Sequence, residues 1–242
     1  CTINVSRKMR TSKGTYIVGI SRETLIVQMA DSGFTENLRR VQYLVDLAQK
    51  IYNQPDKSTR KNSKEVLRAA TVLLHATLEN LLRIICTYFT DQNSKEIIDK
   101  IPLIGSSNGK PEKITLGTLI SFNDKSINQL IRDSIMGYYN QCVSFNSTNE
   151  IANHLERVGI DITMINTYFS NLDELINRRH AIVHHADLIN SETQNILGIR
   201  SPAPISIKEV KKWLKSVNQF GLKLFDILSK HEFKRITNPT IK

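Results

Sequence analysis

A chain of 242 residues, 40% hydrophobic and 23% charged, is long enough to bury one substantial core, and its composition is that of a folded globular protein. Lys and Arg outnumber Asp and Glu by 33 to 23, a formal net charge of +10, so a polyanion is the expected partner, and nucleic acid is the natural one where nothing suggests a membrane. Cys1, Cys86 and Cys142 are too few and too scattered for a disulfide framework, and no CxxC pair suggests structural zinc. No signal-like segment and no run near the ~18 apolar residues needed to cross a bilayer is visible, so a cytoplasmic protein without a membrane partner is expected. The first residue is Cys rather than Met, which leaves room for an upstream segment.

Residues 1–33 form a first segment. Thr15 to Ile20 is rich in β-formers and Thr24 to Val27 reads as strand or short buried helix, so a small hairpin is one reading. From Thr35, Leu38, Val41, Leu44, Val45, Ala48 and Ile51 recur at threes and fours, predicting a helix that ends near Asn53, ahead of Pro55. Residues 54–62 read as an exposed turn, after which Asn62 and Glu65 make a capping-box pair opening a long helix to about Phe89. That helix is apolar nearly all round and belongs at the centre of a bundle. Its exceptions, Arg68, His75, Glu79 and Arg83, are spaced seven, four and four, which draws one polar line along the rod. Glu79 and Arg83 form an internal ion pair in one reading. In the other, Glu79 and His75 border a site and orient groups from another helix, because such groups are costly to bury without partners.

A short helix is expected over 94–101. The Gly/Ser loop 102–111 lacks the spacing of a nucleotide-binding P-loop. Ser126 with Gln129 opens a helix to about Tyr139, and Ser147 with Glu150 opens another to Val158, closed by Gly159. Asn171 with Glu174 caps a helix over 170–187. The loop 190–204 leads to a last helix from Ser206, with Glu209 three residues on, to about Lys230; residues 233–242 are a tail. The whole is an all-α bundle over 35–232 with an N-terminal appendage that is a candidate for β structure. In the last helix Lys211, Lys212 and Lys215 face solvent beside an apolar stripe and are candidate phosphate contacts that read no sequence.

The chemistry gathers in Arg178-Arg179-His180-Ala181-Ile182-Val183-His184-His185. Arg presents a planar fork suited to phosphate oxygens, and His exchanges protons near neutral pH, so this pairing suits work on a phosphate. On a helix His180 and His184 share a face, whereas Arg179 and His184 lie about 140° apart, close enough for the long Arg to reach the edge of a common site facing a second surface. Arg178 and His185 extend the positive patch as RNA contacts. A solvated basic helix face is the bland alternative.

The string RHAIVH, preceded by DELINR in the penultimate long helix, resembles the Arg-x4-His motif of the HEPN superfamily of nucleotide-binding and RNase domains. Residues 68–83, RAATVLLHATLENLLR, resemble the first long helix of that family, closest to its RiboL-PSP type. The resemblance implies a metal-independent endoribonuclease without cofactor. Arg179 and His184 would be its catalytic pair, with His180 at the polar position after the Arg; His75, Glu79 and Arg83 stand as supporting candidates on the spacing of their own helix. It also implies a homodimer that brings two motifs together on RNA, a toxin or anti-phage role, and an antitoxin or other regulatory protein. Ala186 stands where toxins modified by a partner nucleotidyltransferase carry Tyr, a departure that argues against that mode of regulation. The rival reading is a non-catalytic dimerising module that binds RNA or protein. A third, zinc hydrolysis through His180, His184 and Asp187, lacks an HExxH pattern.

Overall fold

The computed structural model describes residues 5–11, 14–20, 22–90, 95–105, 110–111, 113–188 and 203–230. The expected tail, most of the loop before the last helix and part of the Gly/Ser loop lie outside them. Strands β1 (Val5–Thr11) and β2 (Gly14–Ile20) pair antiparallel, with Val5 opposite Ile20 and Thr11 opposite Gly14. The remainder is helical: α1 (Arg22–Tyr52), α2 (Lys57–Thr90), α3 (Lys95–Ile98), α4 (Leu116–Leu119), α5 (Ile127–Gln141), α6 (Thr148–Arg157), α7 (Phe169–His185) and α8 (Ile207–Lys230). The all-α expectation holds.

Helix α1 begins thirteen residues before the predicted start at Thr35, and the stretch Thr24 to Val27 belongs to it. The apolar spacing continues upstream through Phe34 and Ala30, both buried, and α1 packs against α8. Phe34 meets Phe225 edge to face at 5.9 Å between ring centroids. The helices approach closely at Gly221, where an added Cβ would fall 2.3 Å from the Phe34 ring. Leu38, Val41, Val45 and Ala48 complete the buried stripe of α1.

Helix α2 is the central rod, packed against α1, α5, α6, α7 and α8. Its start corrects the expected capping box. The cap is Asp56, whose carboxylate accepts from the backbone N–H groups of Ser58 (3.2 Å) and Thr59 (2.7 Å), so the first turns cover residues read as loop. Glu65, expected to close a box with Asn62, instead pairs with Arg68 at 2.8 Å. By length and composition α2 is long and apolar enough to cross a bilayer, which the sequence reading overlooked. Of that apolar stretch 56% is buried inside the bundle, where Leu67, Ala70, Leu74, Leu78, Leu81, Leu82 and Ile85 make its centre.

The caps expected at α5, α6 and α8 form: Ser126, Ser147 and Ser206 each accept from the N–H three residues on, at 3.2 Å. Ser206 and Glu209 make the full reciprocal box, the Glu209 carboxylate accepting from the Ser206 N–H at 2.8 Å. The box expected at Asn171 and Glu174 does not form. Asn171 Nδ2 donates to Ser216 Oγ on α8 at 2.9 Å, while Glu174 takes Trp213 Nε1–H at 3.1 Å and pairs with Lys212. Tertiary partners on α8 win over local capping, and they fasten α7 across α8 along its first half.

Candidate active site

The end of α7 is held by an unusual turn. Ala186 (φ 49°) and Asp187 (φ 59°) both adopt left-handed backbone, a conformation that a Cβ makes costly by about 1–2 kcal/mol. The result is that Asp187 points inward, 1% exposed, between two arginines. Its Oδ2 accepts from Arg68 Nε at 2.7 Å and from Arg178 Nη2 at 2.7 Å. Both guanidinium groups also donate to the Ala203 carbonyl at 2.9 Å, and Arg178 reaches the Pro204 carbonyl at 3.1 Å. The Ala203 N–H in turn donates to the Asp187 carbonyl at 2.7 Å. This clamp ties the last turn of α7 to α2 and to the entry of α8. Arg178 is therefore committed to the fold, a correction to its reading as an open RNA contact. Asp187, turned into the clamp, is equally removed from the His180, His184 and Asp187 metal set weighed above.

Arg179, one residue on, is half-buried. Its charge reaches His75, one of the groups on the polar line of α2. His75 is buried, and its Nε2 has no hydrogen-bond partner among the described residues. Burial holds its pKa below the ordinary histidine value; Glu79 opposes that shift and Arg179 adds to it, so the ring is neutral at pH 7. Glu79 stands 3.8 Å from His75 Nδ1 and 3.1 Å from Arg83 Nη2, so the internal Glu79–Arg83 pair is real. Arg83 also donates to the Tyr139 carbonyl and lies 5.7 Å over the Phe145 ring. The polar line thus divides in two: Arg68 joins the clamp, while His75, Glu79 and Arg83 make a linked set near Arg179.

His184 lies on the outer side of the same helix and is exposed, as are His180 and His185. The ring of His180 is 4.5 Å from that of His184 and 5.7 Å from that of His185, so the three imidazoles form one open cluster in the last turns of α7. Among the described residues no hydrogen bond or ion pair joins Arg179 to His184, nor does any carboxylate pair with Arg179. Asp173, which shares the His180 face by spacing, is spent on the start of α6, where it accepts from Thr148 N–H at 3.1 Å and Oγ1–H at 2.8 Å.

Lys211 and Lys215 are exposed on α8. Lys212 is bound to Glu174, ten residues before His184 on α7, and ten residues of helix span roughly 15 Å. The lysines therefore lie beside the far end of α7 rather than around the imidazoles. What residue spacing missed is the clamp. Its centre, Asp187, carries no local signature beyond an acidic residue past a helix end, and the two arginines that meet it are 110 positions apart in sequence.

The family model for RiboL-PSP-HEPN matches residues 35–230, which include every helix from the latter part of α1 through α8. The chain belongs to the RiboL-PSP-HEPN family. Comparison with curated proteins and with solved structures found no match. Within this family assignment a nuclease or RNA-binding role is the coarse functional reading.

Proposed function

We propose that this chain is a metal-independent endoribonuclease in which Arg179 and His184 act on a scissile phosphodiester, in a toxin or anti-phage setting. The observation that carries the reading is the division of labour between adjacent arginines. Arg178 spends its Nη2 on Asp187 and two carbonyls, whereas Arg179 keeps its charge free of any carboxylate among the described residues, on the helix that carries the open His184. A guanidinium so placed offsets charge on the non-bridging oxygens of a phosphorane-like transition state. His184, unencumbered by internal hydrogen bonds among the described residues, is free to exchange protons with substrate.

The bonds balance without a cofactor. The 2′-OH attacks phosphorus as the P–O5′ bond breaks, leaving a 2′,3′-cyclic phosphate and a 5′-OH; one proton is taken from the 2′-oxygen and one is given to the leaving oxygen. Two proton carriers are needed. A homodimer with α7 at its two-fold axis supplies His184 and its symmetry mate, and answers the ~140° between Arg179 and His184 by completing each site from two protomers. Val183, 48% exposed beside His184, offers such a seam an apolar contact. His180, His185, Lys211 and Lys215 add positive or hydrogen-bonding surface for RNA, and His75, Glu79 and Arg83 support Arg179 from α2. The test is incubation with RNA in excess EDTA of wild type, Arg179→Ala and His184→Ala. Cleavage by wild type alone supports the reading; RNA binding with no cleavage by any of the three turns it to the non-catalytic binding module.

A further inference from the structure

We infer that His180 and His184 form a two-imidazole chelating site for a borderline-soft divalent cation of the Zn²⁺, Ni²⁺ and Cu²⁺ class, and that its occupation switches the proposed nuclease off. The two residues are four apart on α7, and their rings already stand 4.5 Å apart, tilted by 42°. A metal bound at about 2.0–2.1 Å by one nitrogen of each imidazole sets the two ring centres roughly 4.5–5 Å apart for ligand angles between about 90° and 109°. The observed separation lies at the lower end of that range, and rotation about the side-chain bonds turns one nitrogen of each ring toward a shared ion. Both rings are exposed, so a hydrated cation has direct access.

Among the described residues no third His, Cys, Asp or Glu completes a set, because Asp187 is turned into the arginine clamp. The protein thus supplies two ligands and water the rest. Two imidazoles select copper, nickel and zinc over the hard, oxygen-seeking Mg²⁺. Such an open site is inhibitory in sense. It occupies the nitrogen with which His184 would exchange a proton, and it adds no group that the metal-free chemistry requires. The inhibitory part rests on the function proposed above; the binding part does not.

The two parts are separated by measuring them apart. Competition between untagged protein and a chromophoric chelator for Zn²⁺ and for Cu²⁺ needs no RNA. We expect binding that millimolar Mg²⁺ leaves unchanged and that His180→Ala and His184→Ala each weaken by more than about tenfold, since losing a ligand costs at least as much as losing its outer-shell support. His185→Ala should change it by less than about twofold. All three residues are exposed, and circular dichroism verifies that each variant stays folded. Loss of affinity in His185→Ala equal to that in His184→Ala, or affinity unchanged in His180→Ala, overturns the site. If cleavage occurs in chelator and added Zn²⁺ does not reduce it, the switch is overturned while the nuclease stands. Histidine-dependent binding in a protein that cleaves nothing supports the site and removes the nuclease.

Discussion

The clamp at the end of α7 can be broken at its centre with one substitution. Asp187→Ala leaves Arg68, with a side chain 9% exposed, and Arg178, at 17%, facing each other without the carboxylate that both use. Removing one partner from a buried charge group costs about 3–5 kcal/mol, and the lower end applies here because Glu65 and the Ala203 and Pro204 carbonyls still serve the two guanidinium groups. A loss of about 3 kcal/mol in a chain of this size is a fall in melting temperature of roughly 6–12 °C. The left-handed turn adds an internal control. Ala keeps the Cβ penalty at φ 59°, whereas Asp187→Gly removes it, so the Gly variant should be more stable than the Ala variant by about 1 kcal/mol even though it has even less side chain. Urea unfolding followed by circular dichroism reads both differences. An Asp187→Ala protein within about 1 kcal/mol of wild type, or a Gly variant no better than the Ala one, would refute the argument that strain is tolerated here to seat a buried charge.

The other predictions concern the packing and the titrating groups. Gly221→Ala should destabilise by about 1–3 kcal/mol through the Phe34 ring, despite the better helix propensity of Ala, and adding Phe34→Leu should recover part of the loss in the same urea assay. His75 and His154 are both held below the ordinary histidine pKa, chiefly by burial, so the folded state binds fewer protons than the unfolded one. Stability should therefore be full above about pH 6.5 and decline as pH falls below it, and His75→Gln should flatten part of that decline. Burial pushes the Cys86 thiol up to about 12, so native protein treated with iodoacetamide and mapped by mass spectrometry should be labelled at exposed Cys142 and spared at Cys86.

How far the sequence reached differs between fold and site, for physical reasons. Periodicity located α5, α6, α7 and α8 and the end of α2 to within a few residues, and the larger misses lie at the starts of α1 and α2. Tertiary contacts explain the early start of α1, whose Phe34 is buried against a helix at the other end of the chain, and the missing box at Asn171. The α2 start was misread because Asp56, adjacent to Pro55, looked like turn chemistry and is an N-cap. At the site, the grouping of His75, Glu79 and Arg83 was readable because i,i+4 spacing is a local property. The difference between Arg178 and Arg179 was not. Adjacent residues on a helix face directions about 100° apart, and which of them meets an acid depends on Arg68, Asp187 and Ala203, brought together by folding.

Attack by a ribose hydroxyl with proton exchange at His184 leaves defined ends on cleaved RNA, and end-group analysis reads them. An RNA oligonucleotide and the same sequence carrying a single 2′-deoxy nucleotide at the cleaved position are incubated with wild-type protein in excess EDTA. The expected result is 2′,3′-cyclic phosphate and 5′-hydroxyl ends from the first, no cleavage at the substituted position of the second, and no product from His184→Ala on either. Products bearing 5′-phosphate, cleavage that needs added metal, or undiminished cleavage by His184→Ala would contradict it.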